Sequence, residues 1–214
     1  MKVNSGSTFP GGTCLSFGHD KEEILFSIYP ELICCRLIYQ RLLHNDVLKV
    51  TGFERFSSYK LTNDGFEFQE NYIDKNIESN SIVMMDPLIL IGKEKSQWKK
   101  IKIDREIHKS YIAFEGNQLK TISTENWGVK VKGDKELKAV IQVISAVLTD
   151  QKLIFHLYND STFEKKLTSF CDFLIKKQIP IGQLYSELIS FTKLEETVKE
   201  QYNSIFKYLM KKLN

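Results

Sequence analysis

The sequence predicts an α/β fold built as one domain, with a mixed, mainly parallel sheet flanked by helices. Three observations lead there. Short runs rich in β-branched and apolar residues, Val47–Thr51, Ser81–Met85, Leu119–Ser123 and Lys152–Tyr158, alternate with helical patterns. The run Lys152–Tyr158 is too apolar to alternate, which suits a central parallel strand. No internal repeat and no linker-like stretch divides the 214 residues.

In chain order, Met1–Phe9 is small and polar and forms no self-contained element. Gly11–Pro30 opens as a glycine loop and runs into Glu22 and Glu23, with Asp20 placed to cap a helix over Glu23–Ile28. Pro30 suits the first position of a second helix, Pro30–Leu43, whose apolar face of Ile33, Cys34, Leu37, Ile38 and Leu42 puts Cys34 in the core. Val47–Thr51 reads as a buried strand ended by Gly52. Phe53–Asn80 reads as a long loop holding one strand, Gly65–Glu70. Ser81–Met85 is a strand. Lys99–Phe114 is a helix with Ile103, Ile107, Tyr111 and Phe114 inward and its charges outward. After the strand Leu119–Ser123 comes Asn126-Trp127-Gly128. Asp134 then caps a helix with an apolar stripe of Leu137, Val140, Ile141, Ile144, Val147 and Leu148. Asp160 or Ser161 caps the next helix, Ile179-Pro180 breaks it, and Ile181–Leu188 is helical again. A last helix carries Leu194, Val198, Tyr202, Ile205, Phe206, Leu209 and Leu213.

Composition narrows the function classes. Net charge is +3, and the lysine runs Lys93–Lys102 and Lys207–Lys212 read as solvated faces, so direct DNA binding is not expected. No apolar run reaches the length of a membrane span, and Met1–Ser7 lacks the apolar segment of a signal peptide; the expected place is inside the cell. Cys14, Cys34, Cys35 and Cys171 lack the spacing of a zinc site or a disulfide framework and read as reduced thiols. His19, His44, His108 and His156 have no ligand-spaced partners, so no metal is expected; His156, inside the apolar strand, reads as a core histidine. There is no GxSxG elbow and no Walker-type loop.

Three stretches carry chemistry: Gly11–Glu23, the Asn126–Asp134 loop before a capped helix, and the aromatic-rich Phe53–Phe68 segment. Glycine loops let a ligand approach the backbone, and their free N–H groups together with a helix N-terminus bind phosphate oxygens. Two such junctions beside one carboxylate suit a ligand with a diphosphate and a cleavable sugar.

The order of these pieces resembles the poly(ADP-ribose) glycohydrolase family, a macrodomain-type fold whose signature is a triple-glycine loop followed by Gln-Glu-Glu. Here Gly11-Gly12-Thr13 stands at the glycines and Lys21-Glu22-Glu23 at the acidic triplet. Pro30-Glu31-Leu32-Ile33, Arg36-Leu37, and Thr51-Gly52 with Glu54, Phe56, Ser57 and Tyr59 follow in the family's order. A second strong match is Asn126-Trp127-Gly128, then Gly133-Asp134, Leu137-Lys138-Ala139 and Ile141-Gln142.

The resemblance implies hydrolysis of ribose–ribose bonds in poly(ADP-ribose), with Glu23 as the catalytic acid/base and Glu22 contacting the terminal ribose. It implies ligand positions at Asn4, Ser7, Gly11, Gly12, Thr13, Lys21, Asn126, Gly128, Gly133 and Tyr158, and no cofactor. Burial of Glu23 in the loop is expected to raise its pKa, and Lys21 beside it to lower it. Partners implied are the polymer, free ADP-ribose and poly(ADP-ribosyl)ated proteins, in nucleus or cytoplasm. Five places depart from the family pattern. Thr13 takes the third glycine's place, a strained exchange if φ is positive there; Lys21 replaces glutamine, and Ser7 replaces asparagine. Thr62 replaces the adenine-stacking tyrosine, with Tyr59 and Phe66 near it, and Val129-Lys130-Val131-Lys132 replaces a glycine-rich diphosphate cradle. The family's strands ahead of the glycine loop are expected to be missing, leaving the sheet short at its N-terminal side. An ADP-ribose-binding module without activity on the same fold is the alternative.

Overall fold

The computed structural model describes all residues except 17, 19, 63, 64, 196, 198, 200 and 201, and leaves the side chains of 61, 65 and 66 aside. His19 and Val198, and the ring of Phe66, therefore lie outside the described residues. The chain forms two compact units, Met1–Pro87 and Leu88–Asn214.

In the first unit, strand β1 (Lys2–Asn4) is followed by helix α1 (Lys21–Ile28), a 3-10 turn over Pro30–Cys34 and a short helix α2 (Cys35–Ile38). Strands β2 (Leu48–Thr51), β3 (Ser57–Thr62), β4 (Gly65–Asn71) and β5 (Ser81–Met84) complete it. β1 runs parallel to β5, with Val3 opposite Val83, and β2 runs antiparallel to β5 on its other side. A strand paired on both edges and covered on both faces must be apolar throughout. Ile82, Val83, Met84 and Met85 are accordingly all buried. Phe26, Ile28, Tyr29, Leu32, Leu42 and Phe53 pack with Ile82 and Met84 into one core, with the rings of Tyr29 and Phe53 edge-on at 5.0 Å.

The predicted helix Pro30–Leu43 is much shorter than expected. Its first turn is 3-10, three residues per turn, so the faces fall out of phase with a 3.6-residue stripe. Leu37 and Ile38 are 87% exposed and Cys34 is exposed too, a correction to its placement in the core. Leu42 still reaches the core from an extended segment, its N–H donating to Thr8 O at 2.7 Å. β2 alternates half-buried and exposed residues rather than being buried throughout. The predicted strand near Gly65 is β4, and its partner β3 forms with it a separate two-stranded antiparallel hairpin. Asp20 stands at the N-cap of α1 without a side-chain hydrogen bond to the helix.

The second unit holds helix α3 (Lys100–Phe114), strand β6 (Thr121–Glu125), helix α4 (Lys135–Leu148), strand β7 (Lys152–His156), and helices α5 (Ser161–Lys176), α6 (Ile181–Thr192) and α7 (Ile205–Lys212). β6 and β7 are parallel, with Glu125 opposite His156. The whole is a mixed α/β architecture in which parallel pairing predominates, as the sequence predicts. Asp134 and Asp160 are the helix caps foreseen, accepting from Leu137 N at 2.8 Å and Phe163 N at 3.1 Å. Phe206 of α7 stacks on Phe170 of α5 at 4.5 Å.

Four expectations fail here. β7 alternates, with Ile154 and His156 exposed and Leu153 and Phe155 half-buried, so one face of it is open to solvent. His156 is thus a surface histidine, 2.8 Å from the Ser123 hydroxyl, and not a core one. Val147 and Leu148, at the end of α4, are about half exposed and leave the predicted stripe. α3 turns charge inward: Arg105, Glu106 and Lys109 are buried. The last helix is interrupted, and α7 starts afresh at Ile205 with Ser204 accepting from Lys207 N at its cap.

Candidate active site

Each unit contains one of the two predicted loops. In the first, Glu22 and Glu23 occupy the opening turn of α1, where unpaired N–H groups and the helix dipole favour carboxylates. Both are buried, at 6% and 8% exposure, and they face different partners.

Glu22 organises the loop. Its Oε1 accepts from Asn4 Nδ2 at 3.1 Å and from Gly11 N at 3.0 Å, and its Oε2 accepts from Ser7 N at 2.7 Å. Burial pushes its carboxyl above the ordinary glutamate value; the three donors pull it back, and the Glu23 charge adds to the rise. Three segments, the end of β1, residue 7 and residue 11, are thereby tied to one side chain. Gly6 belongs to the same arrangement, because a Cβ there would lie 2.2 Å from the Glu22 carboxyl carbon. The sequence reading passed over Gly6, although it stands between two serines in a run with no other claim on a glycine.

Glu23 is held on one side only. Its Oε1 accepts from both the backbone N (3.2 Å) and the hydroxyl (3.1 Å) of Thr13. Its Oε2 is buried and has no hydrogen-bond partner. An unsatisfied buried oxygen is costly unless a donor arrives, and a substrate hydroxyl or water is such a donor. Gly12, at φ +51°, lies against it: a Cβ would sit 2.6 Å from Oε1. Gly11, at φ +80°, lies flat on the Phe26 ring in the same way. Thr13 is not among the residues with positive φ, so replacing a glycine there carries no backbone strain and adds a hydroxyl donor for Glu23. Lys21 is exposed, and burial rather than a neighbouring lysine dominates the environment of Glu22. Ser7 turns its hydroxyl to Phe9 N at 3.1 Å and offers Glu22 its backbone.

One further contact was not legible. Arg36 of α2, half-buried, donates from Nη1 to Gly12 O at 3.0 Å. Its only sequence signal is its place in the Arg36-Leu37 block. Of the aromatic segment, Thr62 is exposed, whereas Tyr59 is half-buried with the Arg55 guanidinium 5.8 Å over its ring.

In the second unit Asn126, Gly128 and Gly133 form one tight loop after β6. Gly128 (φ +79°) accepts at its carbonyl from Gly133 N at 3.0 Å, and a Cβ on Gly133 would lie 2.8 Å from that same oxygen. Val129–Val131 makes a 3-10 turn between them, with Lys130 and Lys132 exposed. The loop stands on Trp127, which is fully buried beneath the Lys138 ammonium at 4.4 Å. Lys138 in turn pairs with Glu106, which also pairs with Arg105. Burial and the nearby Arg105 lower the Lys138 pKa, while the Glu106 carboxylate acts in the opposite sense. Asn126 Oδ1 is buried without a partner. Among the described residues it and Glu23 Oε2 are the buried side-chain oxygens left unsatisfied, and both belong to predicted ligand positions. Tyr158 stands two residues beyond the end of β7, 64% exposed, its ring 6.4 Å from that of His156.

The mixed α/β fold thus carries a glycine loop wrapped around two buried glutamates, one of which keeps an unsatisfied oxygen. Comparison with known proteins names the class. The family model for poly(ADP-ribose) glycohydrolase with a macro domain fold matches residues 1–165, and the chain belongs to that family. It is 26% identical over 206 residues to poly(ADP-ribose) glycohydrolase 1 of Caenorhabditis elegans, covering 86% of this chain and 26% of that protein. Identity to poly(ADP-ribose) glycohydrolase 1 of Arabidopsis thaliana is 34% over 120 residues, 53% of this chain and 22% of the relative. Probable poly(ADP-ribose) glycohydrolase 2 of Arabidopsis thaliana matches at 21% over 262 residues, the full chain and 50% of its own length. The chain thus spans about a quarter to a half of these relatives.

Proposed function

We propose that this chain, as a single catalytic domain, hydrolyses the ribose–ribose glycosidic bonds of poly(ADP-ribose) and releases ADP-ribose. The observation that carries the reading is Glu23: Oε1 is anchored twice to Thr13, and Oε2 is buried with no partner. In the first half of the reaction the protonated Glu23 gives its proton to the departing glycosidic oxygen as the C–O bond breaks and the ribose gains oxocarbenium character. In the second half water attacks that carbon and returns a proton to Glu23, which ends as it began.

A carboxylate has about four acceptor positions. Glu22 fills three of them on the loop, leaving one for a hydroxyl of the terminal ribose. Gly11 and Gly12 leave room for the ligand's backbone approach. Asn126, with its unsatisfied oxygen, is the donor-seeking group of the second loop, and the exposed Lys130 and Lys132 suit a diphosphate. Poly(ADP-ribosyl)ated proteins and free ADP-ribose are the partners that go with this reading, at an intracellular site.

The test incubates the purified chain with poly(ADP-ribose) and measures ADP-ribose release beside Glu23→Gln. Release by the parent chain that the substitution abolishes supports the hydrolase. Binding of polymer with no release by the parent chain instead makes it an ADP-ribose-binding module, and neither binding nor release sinks both.

A further inference from the structure

Backbone bonds pin the peptides on either side of the one that joins Gly12 to Thr13. Gly12 N donates to Phe9 O and Cys14 N to Gly11 O, both at 2.9 Å, and Thr13 O receives Ser16 N at 2.9 Å. The peptide joining Gly12 to Thr13 is held differently, by two side chains. Its carbonyl receives Arg36 Nη1 at 3.0 Å, and its N–H donates to Glu23 Oε1 at 3.2 Å. In a trans peptide the C=O and N–H point in opposite directions, so fixing one end aims the other.

We infer that Arg36 is a positioning residue: by clamping the Gly12 carbonyl it aims the Thr13 N–H at Glu23 and so fixes the carboxylate that the proposed hydrolysis uses. The inference rests on that reading of Glu23 for its catalytic consequence, but the clamp itself does not. Glycine is the residue whose backbone turns over most easily, because φ of either sign is open to it. With Gly12 at φ +51° and no backbone bond to the 12–13 peptide among the described residues, rotation of that unit would replace the N–H by a carbonyl oxygen facing Glu23. Two oxygens carrying negative charge would then oppose each other, and the carboxylate would leave its place. A guanidinium suits the task. It stays charged at all working pH values, and its several N–H groups reach more than one acceptor. Arg36 Nη1 also lies 3.9 Å from Cys14 Sγ, so the same group spans the loop on both sides of Thr13. α2, otherwise a four-residue helix with Leu37 and Ile38 in solvent, thereby acquires a reason for its position.

The experiment compares the full chain with Arg36→Met and Arg36→Lys, reading kcat and KM for ADP-ribose release and, separately, the Thr13 amide proton by NMR. Arg36→Met is expected to lower kcat by about 10- to 100-fold with KM within about threefold, as for a reacting group displaced by about 1 Å. The Thr13 amide should lose the downfield shift of a proton bonded to a carboxylate. Arg36→Lys should recover part of both, since an ammonium can still reach the carbonyl. Millimolar guanidinium ion added to Arg36→Ala should restore part of the rate. Arg36→Met with unchanged kcat and an unchanged Thr13 amide overturns the proposal, as does a rate loss that only tracks a lost folded fraction. A parent chain without activity refutes the role of Glu23, whereas the amide shift still decides for or against the clamp.

Discussion

Gly12→Ala tests the close approach between loop and carboxylate. A Cβ at this position would meet Glu23 Oε1 at 2.6 Å, and ordinary contact begins at 3.4 Å, so the carboxylate or the loop must shift by about 0.8 Å. The backbone adds a second penalty, because φ is +51° and a left-handed conformation costs an L-residue about 1–2 kcal/mol. For a chain of this size that corresponds to a melting temperature lower by about 2–8 °C. The positional effect is separate: a reacting group misplaced by about 1 Å costs about 100-fold in rate. Gly52→Ala is the control. Its φ is +72° and nothing lies within 4 Å of its Cβ, so it carries the backbone penalty without the clash. Differential scanning of both variants, with initial rates of ADP-ribose release, should show a thermal loss in Gly12→Ala at least as large as that in Gly52→Ala, and a rate defect in Gly12→Ala alone. Equal rates in the two variants would refute the view that Gly12 is a glycine for the sake of Glu23.

Other expectations follow from particular contacts. Thr13→Val keeps the backbone donor but removes the hydroxyl bond to Glu23, and should lower kcat by about 10-fold, the scale of one hydrogen bond to a charged group. Because burial raises the folded-state pKa of Glu22, the folded form binds its proton more tightly than the unfolded chain does. Stability should therefore fall as pH rises from 4.5 through the raised value, then level off, and Glu22→Gln should flatten that stretch in a urea-midpoint series. Lys138→Met should destabilise by about 3–5 kcal/mol, since it leaves the buried Glu106 without one of its two cations, while Lys120→Met at an exposed pair should change little in the same denaturation assay. Asp134→Ala should remove about 1 kcal/mol through its lost bond to Leu137 N, measured as a fall in melting temperature of about 2–4 °C.

The sequence by itself determined the α/β class, the position of β5 and the helices α3 to α6, and the family. Those features rest on local signals: a run apolar on both faces, caps such as Asp134 and Asp160, and a short ordered motif around Gly11-Gly12 and Glu22-Glu23. It also singled out Glu23 and Asn126, whose unsatisfied oxygens are features of three dimensions. Periodicity misled where a residue's environment depends on partners far along the chain. Pro30–Leu43 carries a helical stripe, yet its 3-10 opening and the bond from Leu42 to Thr8 send Leu37 and Ile38 into solvent. Lys152–Tyr158 is apolar enough for a central strand, yet which of its side chains are buried is decided by what covers each face of the sheet. Arg105 and Glu106 read as outward charges because a charge counts as buried only when its counter-charge is known, and Lys138, which pairs with Glu106, lies 32 residues away. In the sequence the division of labour between the two glutamates rests on the family resemblance alone. Adjacent in sequence and alike in chemistry, they differ because Asn4, Ser7 and Gly11 converge on Glu22, whereas among the described residues Thr13 alone donates to Glu23, and only the folded loop brings those donors together.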